Sequence, residues 1–212
     1  ERYKIPTISS IKIDYKENLK NINLPIVVKP SAPIYGKKNV YLVRSFSMIK
    51  LAIEKAINES LDNFCLLQPF IEGIDIVVLA LSRSGKYKWL TFYKEKILFK
   101  NNKPKVDSIS SCLKDLSTKQ INNIRFRVKK VIEENNSNGF CLFSFRVSNK
   151  GEFLYEINPG LGGEFIAGNL LPKMFPDINF YDAEILNLIS EDYYMPNLEP
   201  KIINIKVMGG ET

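Results

Sequence analysis

A chain of 212 residues, 45% hydrophobic and 25% charged, has the length and composition of one globular domain or two small lobes. It contains no histidine, which excludes Ser-His-Asp and Cys-His triads, histidine bases and histidine-held zinc or haem. With 30 Lys and Arg against 23 Asp and Glu the net charge is +7, which favours anionic partners without naming one.

The three cysteines, Cys65, Cys112 and Cys141, show no CxxC spacing. An odd number without that spacing argues against a disulfide framework and against a zinc site. Cys65 and Cys141 lie in apolar runs and read as small buried hydrophobes in a reducing, cytoplasmic setting. No apolar run approaches the roughly 20 residues of a membrane span. No secretory leader pattern opens the chain. It begins at Glu1 rather than at a methionine, which points to a piece of a longer protein.

In chain order, residues 25–30 (PIVVKP) read as a short apolar strand stopped by Pro30. A polar loop, Pro33–Asn39, leads to a second strand at Val40–Val43. Ile49, Ala52, Ile53, Ala56 and Ile57 follow helical spacing, with Ser45 or Ser47 as the cap. Cys65–Leu67 is a third strand, and Gln68–Gly73 reads as a connector. IDIVVLALS, from Ile74, is a long strand apolar on both faces and therefore central. Gly85 marks a turn and Lys88–Tyr93 returns. Residues 100–116 read as polar and irregular. Ser117 to Gln120 matches a capping box before a helix through Ile121, Ile124, Val128, Val131 and Ile132.

Two strands follow. Phe143, Phe145 and Val147 share one face, with Leu142, Ser144 and Arg146 opposite. Phe153, Tyr155 and Ile157 share a face, with Leu154, Glu156 and Asn158 opposite. A three-residue turn, Asn149–Gly151, pairs Ser148 with Glu152 and hence Ser144 with Glu156.

Four features carry chemistry. Glu156 and Asn158 are hard oxygen donors two residues apart on one strand, a pattern that suits Mg²⁺; equally, they end a strand in a polar, glycine-rich turn, Pro159–Gly163. Lys29, at the end of a buried strand beside a loop, either reaches a phosphate or guards an edge strand. The loop Pro33–Asn39 holds Gly36, Lys37 and Lys38 and either covers a polyanion or is solvated. Asp75, just past a glycine turn, either binds hydroxyls or caps the strand start.

In this order the stretches PIVVKP, YGKKNVYLV, LLQPFIEGIDIVV and GFCLFSFRVSNKGEFLYEINPGLGG resemble the ATP-grasp superfamily. The resemblance covers roughly residues 1–175. It implies an α+β fold of two lobes, 1–73 and 74–212, enclosing a nucleotide cleft, with the N-terminal lobe of the full enzyme absent. It implies that Lys29 contacts ATP phosphates and that Gly36 and Lys37 belong to a phosphate-covering loop. Gln68 would meet the amino edge of adenine, Ile71 would offer backbone, and Asp75 would bind ribose hydroxyls. Glu156 and Asn158 would hold Mg²⁺ or Mn²⁺, with Ser144 at a position where the family usually places Asp, Glu or Gln. Gly160 stands where related enzymes often have Arg.

The function so implied is an ATP-dependent, carbamoyl-phosphate-synthase-like or other carboxylate–amine ligase. It would activate a small carboxylate as an acyl phosphate for attack by an amine or similar nucleophile, and no residue is singled out as catalytic. The alternative is a degenerate domain with a binding or assembly role and no turnover, which Ser144 and Gly160 support. The lysines are scattered and no RNA-binding motif appears, so a nucleic-acid partner is not expected; with no apolar run of membrane-span length, a membrane partner is not expected either.

Overall fold

The computed structural model describes residues 5–15, 22–34, 39–84, 86–163, 165–189 and 201–207. Contacts divide the chain into two compact units. The smaller comprises Ile8–Glu72 with Ile97–Val106, and the larger Glu1–Thr7, Gly73–Lys96 and Asp107–Thr212.

The smaller unit carries a four-stranded sheet in the order β1-β4-β2-β3. Its strands are β1 (Ile11–Ile13), β2 (Ile26–Pro30), β3 (Tyr41–Val43) and β4 (Cys65–Pro69), all antiparallel pairs. Helix α1 (Phe46–Asn58) lays Ile49, Ala52, Ile53, Ala56 and Ile57 on the sheet. These are the residues whose spacing marked the helix, and they meet Val28, Val43, Cys65 and Leu67. Ser45 takes the cap position but makes no side-chain bond to the helix; its Oγ lies 3.1 Å from Ser47 Oγ. Strand β1 escaped the sequence reading, being three residues long and exposed at two of them.

The larger unit carries most of a six-stranded antiparallel sheet in the order β10-β7-β6-β5-β8-β9. The strands are β5 (Ile74–Arg83), β6 (Lys86–Lys100), β7 (Lys103–Ser111), β8 (Gly139–Ser148), β9 (Gly151–Pro159) and β10 (Asn204–Lys206). As its two apolar faces demand, β5 is interior, between β6 and β8. Helix α2 (Thr118–Asn135) starts at the full Ser117–Gln120 capping box and ends on Asn136 in the left-handed region. It seals one sheet face through Ile124, Val128, Val131 and Ile132 against Ile76, Val78, Phe143, Phe145 and Leu154. Arg127 pins α2 to β9 by an ion pair with Glu152 at 2.8 Å.

On the other face a π-helical stretch, Ile166–Leu170, runs into α3 (Leu171–Met174), followed by α4 (Phe180–Ile189). Phe180 stacks with Phe140 of β8 and with Phe175 at ring separations of 5.8 and 5.6 Å.

Two expectations fail here. Residues 100–116 are largely ordered: Lys103–Ser111 is β7, and β6 runs on to Lys100. Asn101 and Asn102, with φ of 51° and 62°, form the two-residue turn between them. Polar side chains on both faces hid a hairpin that is half exposed. Leu42 N donates to the Asn102 carbonyl at 2.8 Å, so the tip of this hairpin belongs to the smaller unit.

The second failure is in the β8–β9 hairpin. Its turn is Asn149–Lys150, with Ser148 opposite Gly151 rather than Glu152. A β-bulge then sets two residues of β9 against one of β8 and leaves Tyr155 unpaired between Leu154 and Glu156. Two departures of one residue cancel, and Ser144 faces Glu156 as expected. The parity before the bulge is reversed: Leu154 joins the α2 core opposite Phe145.

Candidate functional site

The sheet face of the larger unit turned away from α2 holds three cross-strand rows, read from β6 through β5 and β8 to β9. The first is Glu95, Asp75, Arg146, Phe153; the second is Tyr93, Val77, Ser144, Glu156; the third is Thr91, Leu79, Leu142, Asn158. Antiparallel pairing brings side chains from distant sequence positions to adjacent places on one face. Asp75, Ser144, Glu156 and Asn158, all singled out in the sequence, therefore share this face.

Asp75 is 3% exposed, and its Oδ1 lies 3.0 Å from Nη2 of Arg146 on the neighbouring strand. Ser144 is buried, Glu156 half-buried and Asn158 exposed, so the row of donors opens toward the end of β9. Tyr93 and Tyr155 report the charge of this face. Burial pushes both phenols well above their ordinary pKa, and the carboxylates Glu95 and Glu156 push them further. Tyr155 also feels Asp75, partly offset by Arg146. At the Asp75 end of the face, Asp75, Glu95 and Glu156 set three carboxylates beside the one guanidinium of Arg146, whereas toward its other end the same face carries Lys88 and Arg83.

Among the described residues, no three Asp, Glu or Cys side chains converge closely enough to hold a metal ion by themselves. Glu156 and Asn158, with the Ser144 hydroxyl opposite Glu156, nevertheless fit a hard cation that takes its remaining oxygens from water or phosphate.

Arg146 was placed on this face by strand parity, but nothing in the sequence tied it to Asp75. Glu95, Tyr93 and Tyr155 were missed. The first two depend on the β5–β6 register, and the third on a bulge that no local pattern announces.

In the smaller unit, Lys29 is half-buried on β2 opposite Leu66 of β4. β2 lies between β3 and β4, but its pairing with β3 stops at Val28, so Lys29 is paired on the β4 side alone. Gln68 lies inside β4 opposite Val27 rather than in a connector. It is 8% exposed, and its Nε2 donates to Ser10 Oγ at 2.7 Å. Ile71 follows β4, half-buried. Gly36 and Lys37 lie outside the described residues. The stem before them is tied down: Ser60 Oγ accepts from Ala32 N at 2.8 Å, and Ile34 N donates to the Glu59 carbonyl at 3.1 Å. Lys12 and Ser60, both hydrogen-bonded to Asp62, hold its carboxyl well below the usual range.

No helix among the described residues is long and apolar enough to cross a membrane. No protein-family description matches the chain, and no curated protein does. Solved structures do. An L-amino acid ligase from Bacillus licheniformis superposes with a TM-score of 0.69 at 17% identity, over 89% of this chain and 45% of that one. The D-alanine–D-alanine ligase of Helicobacter pylori gives 0.62 at 21%, over 88% and 53%. The biotin carboxylase domain of the Hydrogenobacter thermophilus 2-oxoglutarate carboxylase, crystallised with MgADP and bicarbonate, gives 0.67 at 19%, over 90% and 43%. The chain thus spans about half the length of the structures it matches. At these identities the superpositions establish the fold alone: the chain has the ATP-grasp fold.

Proposed function

We propose that the chain is the nucleotide-binding part of an ATP-dependent carboxylate–amine ligase. The observation that carries this reading is the sheet face on which Ser144, Glu156 and Asn158 stand together, in a fold shared with such ligases. In the reaction, a substrate carboxylate oxygen bonds to the γ-phosphorus of ATP and ADP leaves. An amine nitrogen then attacks the acyl carbon, the bond to phosphate breaks, and the amine gives up a proton. Phosphoryl transfer of this kind needs positioning and charge neutralisation more than covalent help, so a chain without histidine can perform it.

Each residue has a role in this reading. Lys29 offers a cation to the phosphates, and Gly36 and Lys37 offer backbone and charge from the loop. Gln68 and Ile71 meet the adenine edge. Asp75, oriented by Arg146, accepts from ribose hydroxyls. Glu156 and Asn158 would hold Mg²⁺ or Mn²⁺, with Ser144 beside them, and such an ion would supply neutralisation of phosphate charge.

The experiment is calorimetry with ATP and Mg²⁺. Lys29→Ala weakens ATP binding by about 1.5–3 kcal/mol, the value of a hydrogen bond to a charged group. Glu156→Gln removes the metal dependence. An ATP affinity that neither variant changes refutes these assignments.

A second reading is a degenerate domain that binds nucleotide without turnover. Ser144 favours it, since the position facing Glu156 then supplies no carboxylate. Magnesium-dependent ATP binding with no ADP formed under any carboxylate and amine tried would select it.

A further inference from the structure

The sheet of the smaller unit has one face under α1 and one turned away from it. Val28 and Leu67 belong to the core beneath α1, so their strand neighbours Val27, Lys29, Leu66 and Gln68 lie on the other face. The β2–β4 register sets Val27 opposite Gln68 and Lys29 opposite Leu66, which makes the lysine and the amide diagonal neighbours on that face.

Gln68 is only 8% exposed, yet its amide makes a single bond, from Nε2 to Ser10 Oγ at 2.7 Å. Among the described residues, Oε1 accepts from no donor. A polar atom left over on a buried amide is costly to folding, and native structures seldom keep one without a use. The direction of the amide is set from behind. Ser10 has one hydroxyl proton and gives it to the Ile8 carbonyl at 3.4 Å. Its oxygen then acts as an acceptor, and only the NH2 end of Gln68 can bond to it. The bonds run one way, Gln68 to Ser10 to Ile8, and the carbonyl end of Gln68 is left to meet a donor from outside.

We propose that Ser10 fixes the Gln68 amide as an acceptor and thereby selects a nucleotide whose base edge carries an amino group over one that carries a keto group there. The inference rests on the ATP-binding reading, in which Gln68 meets the base and Lys29, on the same face, meets the phosphates. Ser10 is a positioning residue, because it acts on the base only through Gln68.

The test needs binding alone. Calorimetry with Mg²⁺ compares ATP with inosine triphosphate, whose base has a keto oxygen and a ring N–H where adenine has an amino group and a bare nitrogen. The parent protein binds ATP the more tightly, on the order of 10- to 100-fold, the loss expected when a hydrogen bond is replaced by two opposed acceptors. In Ser10→Ala the amide is free to turn, its NH2 end meets the keto oxygen, and the preference falls to about 3-fold or less. Ser10→Thr keeps a hydroxyl in place and keeps the parental preference. The double variant Ser10→Ala/Gln68→Glu regains it, because both ends of a carboxylate accept and turning changes nothing. A merely structural Ser10 would weaken both nucleotides alike and leave their ratio as it was. That result, or a parent that binds the two equally, overturns the inference and leaves the nucleotide reading standing. A parent that binds neither overturns both.

Discussion

At the scale of the residue, position 144 governs the metal reading. Ser144 faces Glu156 across β8 and β9 and brings no charge. One carboxylate and one amide bind Mg²⁺ weakly unless the nucleotide phosphates complete the shell. Ser144→Asp would add a carboxylate directly opposite Glu156. The expected outcome is tighter Mn²⁺ binding that depends less on nucleotide, at the cost of some stability without metal, since two facing carboxylates repel. Mn²⁺ titrations of parent and variant, with and without a non-hydrolysable ATP analogue, measure this. Unchanged binding in the variant would place Ser144 outside the metal site. Arg146 shows what one residue cannot reveal alone. Parity put it on the correct face, yet its partner Asp75 lies 71 positions earlier and is found only through the β5–β8 register.

At the scale of the element, the β8–β9 hairpin is the most informative piece. The expected Ser144–Glu156 pair is present, although the turn is one residue shorter than expected and a bulge compensates. Because Tyr155 is the unpaired residue, deleting it leaves Leu154 opposite Phe145 and Glu156 opposite Ser144. The deletion variant is therefore expected to fold, losing stability on the order of 1–3 kcal/mol from the missing phenol burial. Deleting Phe153 instead would shift the pairing between turn and bulge and should be far more damaging. Chemical denaturation of the two variants decides; equal losses would mean that the bulge is not where the register places it. At the turn, Gly151 has φ +128° with open space around a would-be Cβ. Gly151→Val then costs about 1–3 kcal/mol through backbone strain alone. Gly73 is constrained differently: a Cβ there would collide with the Val147 carbonyl, so Gly73 keeps β5 and β8 within pairing distance.

At the scale of the whole molecule, buried protonated groups set the alkaline limit. Burial pushes the Cys141 thiol up to about 11 and, with Asp115 adding to it, the Cys112 thiol up to about 12. The Tyr93 and Tyr155 phenols are raised as well. In each case the folded-state value lies above the unfolded one, so the unfolded chain releases its proton first. The stability held by these groups is complete below pH ~9 and is lost as pH rises through about 11 to 12. Thermal melts should be flat in this respect to pH 9 and fall steeply beyond it. All three cysteines are buried and none forms a disulfide, so Ellman's reagent should react no faster than the protein opens. Rapid labelling of the native protein at pH 8 would contradict the burial.

Much of the architecture was determined by the sequence. Helical spacing named all five buried residues of α1, the capping box started α2, and continuous apolarity marked β5 as interior. Such patterns are local: a helix face or a strand parity repeats within a few residues, and burial must follow it. The resemblance carried by four stretches in chain order, PIVVKP, YGKKNVYLV, LLQPFIEGIDIVV and GFCLFSFRVSNKGEFLYEINPGLGG, named the fold that the superpositions bear out. Tertiary structure alone decided the rest. The polar β6–β7 hairpin pairs although neither of its faces is cleanly apolar. The bulge at Tyr155, the Asp75–Arg146 pair and the Ser10–Gln68 bond depend on which strands and segments lie side by side. Register and helix docking are set by the summed packing of distant segments, and no window of neighbouring residues contains that sum.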